Sequence, residues 1–106
     1  MDVPLEVDVA TAARLVAEGA LLLDVREPDE VARCSVPGSR HVPMRQIPAA
    51  VPDMPSDRRV LVLCHLGVRS RRVTQFLRER GLDNVSNVAG GIDAWAEELD
   101  PTMARY

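Results

Sequence analysis

Cys64 is the residue in this chain best placed for covalent chemistry. It ends the apolar run Val60-Leu61-Val62-Leu63, the short segment His65-Leu66-Gly67-Val68-Arg69 follows, and a helical pattern opens at about Ser70. A strand that delivers a thiol to the amino end of a helix places sulfur where negative charge is favoured. Gly67 permits a close or left-handed turn that a residue with a Cβ would resist. The backbone N–H groups of residues 65–69 can then curl inward as an anion nest, suited to a thiolate or a persulfide. Arg69 supplies either a fixed positive charge or a planar fork that braces the loop. Ser70 is expected to cap the helix. The competing reading is an inert core cysteine with a solvated arginine beside it; glycine, arginine and immediate helix together favour a reactive thiol.

The elements that position this loop read as one α/β unit. With 106 residues the chain suits a single domain, residues 1–106, whose core spans about 5–99 and whose last residues, 100–106, look like a loose tail. Residues 3–7 read as a short edge strand, and Asp8 as the N-cap of a helix to about residue 18. Leu21-Leu22-Leu23-Asp24-Val25 has the continuous apolar character of a strand covered on both faces. Pro28 opens a brief helix to about Arg33, and Arg40-His41-Val42 reads as a short strand. Four prolines in residues 43–57 imply a wrapped loop with at most one short helix. Residues 59–63 form the most apolar strand, expected at the centre. A helix follows over about 70–80, with Val73, Phe76 and Leu77 on one stripe. Residues 85–88 make the last strand, and Gly90-Gly91 turns into a helix carrying Ile92, Trp95 and Ala96. Strands alternating with helices imply a three-layer α/β/α domain with a mostly parallel five-stranded sheet. Ligands of such sheets sit beyond the carboxyl ends of the strands, which is where Cys64 falls.

Composition removes several function classes. The net charge of −3 gives no general attraction to nucleic acid or anionic membranes. No apolar stretch approaches membrane-spanning length, and the first residues lack signal-peptide character, so a cytoplasmic protein is expected. The two cysteines, Cys34 and Cys64, have no metal-ligand spacing and are too few for a disulfide framework. Every positive side chain is an arginine, so any cationic assistance at the site is permanent.

Three segments carry a family resemblance. Cys64-His65-Leu66-Gly67-Val68-Arg69-Ser70 resembles the CxxGxRS active-site loop of single-domain rhodaneses. Leu22 to Glu30, read LLDVREPDE, resembles the family's amino-terminal signature, and Val88 to Trp95, read VAGGIDAW, its carboxy-terminal one. The resemblance implies a sulfurtransferase that cycles through a persulfide on Cys64, cradled by backbone amides of residues 65–69. It implies no metal and no organic cofactor. Its partners would be a sulfane-sulfur donor, such as thiosulfate or another small anion or persulfide, and a thiol, cyanide or sulfur-acceptor protein. A monomer or weak dimer is expected. A thiolate is already the competent nucleophile, so no separate base is required. Related phosphatases and arsenate reductases place five residues between cysteine and arginine; here four stand between Cys64 and Arg69, a tighter ring that suits one sulfur.

Other positions leave alternatives open. His65 either steers an anionic donor, transfers a proton to the leaving group or faces solvent, and Leu66 offers nothing to a sulfonate. Arg26 and Asp24, at the end of the second strand, either serve a donor and the loop amides or form an ion pair that supports the fold. Cys34-Ser35 stands where the family usually has Gly-His, which raises two expectations: local strain if positive φ is needed, and a resolving thiol for Cys64. Arg69, Arg71 and Arg72 form a basic cluster that is either solvated or able to dock an acidic partner. The alternatives to turnover are a persulfide or redox sensor and a rhodanese-like interaction module.

Overall fold

Burial alternates along the central strands and so fixes the layers. The computed structural model describes residues 3–106. In β4 (Val60–Leu63) every residue is buried; Val60 and Val62 join one apolar cluster, Leu61 and Leu63 the other. In β2 (Leu21–Asp24), Leu21 and Leu23 face the first cluster and Leu22 the second. Successive side chains of a strand point to opposite faces, so a continuous apolar run needs cover on both. That cover comes from α4 (Val68–Glu79) and the short α3 (Ile47–Ala50) on one face, through Val73, Leu77 and Ile47. On the other lie α1 (Val9–Ala17) and α5 (Gly91–Glu98), through Val9, Ala12, Ile92 and Trp95.

With β1 (Glu6–Val7), β3 (Arg40–His41) and β5 (Val85–Val88), the strand order is β1-β5-β4-β2-β3. Every pairing is parallel, so the sheet is wholly parallel and β4 is central, as the apolar run implied. Asp8 does cap α1, accepting the Thr11 N–H at 2.8 Å.

Four expectations are corrected. Residues 43–57 hold three successive helical turns, Met44–Gln46, α3 and Val51–Asp53. Pro48 and Pro52 sit in the opening positions of the last two turns, where an N–H has no partner to lose. Helix α4 begins at Val68, with Gly67 as its N-cap, not at Ser70. Residues 100–106 are not a loose tail: Met103 and Tyr106 pack on the second apolar cluster, and Arg105 grips Asp93 with two bonds of 3.0 Å. Cys34 carries no strain, since its φ is −164° and its backbone is extended. It ends α2 (Pro28–Arg33), the one α-helix among the described residues with no buried residue. Met1 and Asp2 lie outside the described residues.

Candidate active site

Cys64 continues the alternation of β4 onto the α4 side and is only 1% exposed. Its sulfur receives two hydrogen bonds, from the Gly67 N–H and the Ser70 hydroxyl, each 3.1 Å. Ser70 therefore serves the sulfur and leaves the cap to Gly67, whose φ of +97° suits glycine. With Gly67 at the N-cap, the amides of Val68, Arg69 and Ser70 are the first-turn N–H groups that an α-helix leaves without intrahelical acceptors. Their positive end faces the sulfur. Ser70→Ala removes one of the two donors while keeping the helix. The rate of Cys64 alkylation by iodoacetamide at neutral pH is expected to fall about tenfold, the worth of one hydrogen bond to a charged acceptor.

Neighbouring elements hold the loop by its carbonyls. Ile92 N–H donates to the Cys64 carbonyl at 2.8 Å and Asp93 N–H to the His65 carbonyl at 3.1 Å. The amino end of α5 thus binds the backbone of the cysteine loop. Gly91 makes the approach feasible, because a Cβ there would collide with both of those carbonyl groups. From β5, the Asn87 amide donates to the Gly67 carbonyl at 3.1 Å and to Glu6 at 2.8 Å.

Arg69 closes the loop from the α2 side. Its fork binds both oxygens of Glu30, at 2.7 and 2.8 Å, so it braces the loop as one of its two expected roles required. Glu30 also accepts from the Glu27 N–H at 3.0 Å and the Tyr106 hydroxyl at 2.8 Å. Arg69 above all, against the opposing effect of burial, holds the Glu30 carboxyl down to about 2. A depressed carboxylate contributes stability above its unfolded value and loses it as pH falls through the folded one. Glu30→Gln is expected to be less stable than the parent by a gap that is constant above about pH 5 and narrows toward pH 2, by on the order of 2–3 kcal/mol. Urea midpoints across that range measure it.

Arg26 does not face a ligand. It is fully buried, and its fork is bound to Asp24 at 2.9 and 2.7 Å. Its remaining donors reach the Tyr106 hydroxyl at 3.0 Å and the Cys34 carbonyl at 2.8 Å. Burial opposes its charge, but Asp24 and Tyr106 more than compensate, and its pKa is raised. Arg26 and Asp24 are thus the ion pair supporting the fold. His41 holds the same turn, with a ring nitrogen 2.7 Å from the Arg26 carbonyl.

What remains open is a cavity of about 130 Å³ lined by Cys64, His65, Leu66, Val68 and Arg69. Leu66 and Val68 are 57% and 63% exposed, so its rim is apolar. The His65 ring stacks on Tyr106, centroids 3.9 Å apart and planes 11° from parallel. Cys34 lies elsewhere: its side chain packs with the α1–α5 cluster, Cys64 with the α4 cluster on the opposite face of the sheet.

The family model for the rhodanese-like domain matches residues 8–98. The chain belongs to the rhodanese-like family. A protein named sulfurtransferase from Allochromatium vinosum is 36% identical over 101 residues, covering 93% of this chain and 94% of its own. A chloroplastic Arabidopsis thaliana protein named rhodanese-like/PpiC domain-containing protein 12 is 38% identical over 91 residues, 82% of this chain. The reduced Bacillus anthracis CoADR-RHD structure superposes with a TM-score of 0.85 at 31% identity over 95% of this chain. This chain spans 30% of the Arabidopsis protein and 18% of the Bacillus one.

Within this rhodanese-like site, the loop residues 64–70 come together as their order implied, whereas Glu30, Asn87 and Tyr106 were not foreseen. Glu30 had a signal, since it is the third helical residue of a capping box opened by Glu27. Asn87 had one too, as part of a polar pair, Ser86-Asn87, inside a buried strand. Tyr106 had none.

Proposed function

We propose that this chain is a sulfurtransferase that carries a sulfane sulfur as a persulfide on Cys64. One observation supports this most: Cys64 lines a small cavity, and among the described residues its sulfur takes hydrogen bonds from Gly67 and Ser70 and from no acid or base. Donors fixed on a sulfur anion stabilise charge where it resides before and after each step. The Cys64 thiolate attacks the outer sulfur of the donor, a new S–S bond forms, and the donor's bond to that sulfur breaks. With thiosulfate the departing group is sulfite, which keeps the electron pair. An acceptor thiolate or cyanide then attacks the outer sulfur of the persulfide and regenerates the Cys64 thiolate. The proton balance closes without a metal or organic cofactor.

The donor is a small sulfane anion or a persulfide. Arg69 is the cation of the cavity, and Glu30 already occupies its fork, so a sulfonate gains little there. Acceptors approach from the adjoining cleft of about 410 Å³, which shares Leu66 and Val68 with the cavity and is lined by Arg71 and Arg72. A redox sensor that closes an internal disulfide would need Cys34 to resolve Cys64, and the two side chains lie in clusters on opposite faces of the sheet.

Incubation with thiosulfate or an alkyl persulfide, followed by intact-mass measurement, tests the function. The expected result is a gain of one sulfur atom that cyanide removes as thiocyanate. A stable adduct without transfer would favour a carrier or sensor, and no adduct with any donor would overturn sulfur transfer.

A further inference from the structure

Residues 100–106 end in the contact network of the site, although the sequence marked them as a tail. Met103 packs on the α1–α5 cluster and Arg105 binds Asp93 of α5 with two bonds, so the strap is anchored before it reaches Tyr106. The Tyr106 hydroxyl then accepts from Arg26 at 3.0 Å and donates to Glu30 at 2.8 Å. Two charged groups, one at the end of β2 and one on α2, thus hold the oxygen, while the Met103 packing and the Arg105–Asp93 pair anchor the strap that lays the ring down. Burial first, and donation to Glu30 with it, push the phenol up to about 12, so it remains a donor throughout the neutral range. The ring in turn lies flat on His65 at 3.9 Å, with the Arg33 guanidinium 5.7 Å from its centroid. His65 Nε2 is buried without a hydrogen-bond partner. A freely rotating histidine would turn that nitrogen to water, so the stack holds the ring in a position it would not otherwise keep.

We propose that Tyr106 is a positioning residue that presses His65 into place as one wall of the Cys64 cavity, and so restricts the width of the groups that reach the sulfur. The contact is indirect: Tyr106 does not line the cavity, and His65 does. With the stack absent, His65 swings toward solvent and the mouth widens on its side, while Gly67 and Ser70 still hold the sulfur. Tyr106 therefore governs which sulfur-bearing groups enter and leaves the reactivity of the thiolate unchanged. This assignment rests on Cys64 being the reacting group.

A Cys34→Ser background leaves Cys64 as the one thiol, and its alkylation by iodoacetamide and by N-phenylmaleimide compares a narrow with a broad electrophile. Tyr106→Ala is expected to raise the broad-to-narrow rate ratio about fivefold, the factor corresponding to one stacked ring pair. The iodoacetamide rate itself stays within about twofold. Tyr106→Phe keeps the ring and restores the parent ratio. The chain has two histidines, so the His65 ring protons are read directly by NMR against His41. They are shifted upfield in the parent and in Tyr106→Phe, and move to ordinary positions in Tyr106→Ala.

An unchanged rate ratio in Tyr106→Ala overturns the proposal, and so does a Tyr106→Phe protein that behaves like Tyr106→Ala. If Cys64 reacts in none of the proteins, the sulfur-transfer reading falls, and the NMR arm decides the strap alone: His65 resonances unmoved by Tyr106→Ala sink it.

Discussion

Cys64→Ser is expected to reduce sulfur transfer to the rate seen without protein, and to abolish the cyanide-labile adduct. The reason is chemical more than structural. A serine hydroxyl is a weak nucleophile at its ordinary pKa, and this site offers it no base to take its proton. The neighbours of the sulfur are the Gly67 N–H and the Ser70 hydroxyl, both donors to it. As donors, neither can take a proton from a serine hydroxyl. Stability changes little, because the new oxygen finds the same two donors in a site that would otherwise leave a buried polar atom unpaired. A melting temperature within a few degrees of the parent, with mass spectra empty of adduct, is the expected pair of results. A variant that retains transfer would assign the chemistry to another group.

Gly91→Ala is expected to damage both fold and chemistry. Gly91 has a φ of +60°, and an added Cβ would meet the carbonyl groups of Cys64 and His65, which are backbone and cannot rotate away. Relief requires α5 to move off the loop, breaking the 2.8 Å bond from Ile92 and the 3.1 Å bond from Asp93. Left-handed strain and two lost hydrogen bonds amount to about 3 kcal/mol or more. For a chain of this size that lowers the melting temperature by about 15 °C. The loop, once its carbonyls are released, no longer keeps Gly67 and Ser70 on the sulfur, so persulfide formation is expected to fall as well. Gly81→Ala is the control: its φ is +91°, but nothing lies within 4 Å of the added Cβ. It should show the backbone strain alone, with persulfide loading intact.

The order of strands and helices was legible because buried strands in a parallel sheet are continuously apolar, and β2 and β4 are written that way. The cysteine loop was legible for a different reason: residues 64–70 are contiguous, so the chemistry depends on a local conformation. Ser70 shows the limit of such reading. Serine beside a helix start is most simply a cap, and only the left-handed turn at Gly67 frees its hydroxyl for the sulfur. Arg26 stayed open for a related reason, since a strand-end arginine on the ligand side reads equally as a binding group or as half of an ion pair until its partners are seen. Asp24, the Glu30 and Cys34 carbonyls and the Tyr106 hydroxyl take its donors, and it is fully buried. The Glu30–Arg69 clamp joins residues 39 positions apart and Tyr106 reaches Glu30 across 76. Pairings of that range depend on how elements stack, and no local pattern encodes them.

The cavity above Cys64, about 130 Å³, has a consequence for kinetic order. It has room for one small group over the sulfur at a time, and under the proposed function donor and acceptor both need that place. The two substrates therefore take turns, and the donor's remnant departs before the acceptor enters. Double-reciprocal plots should be parallel, and each substrate in excess should act as a competitive inhibitor against the other.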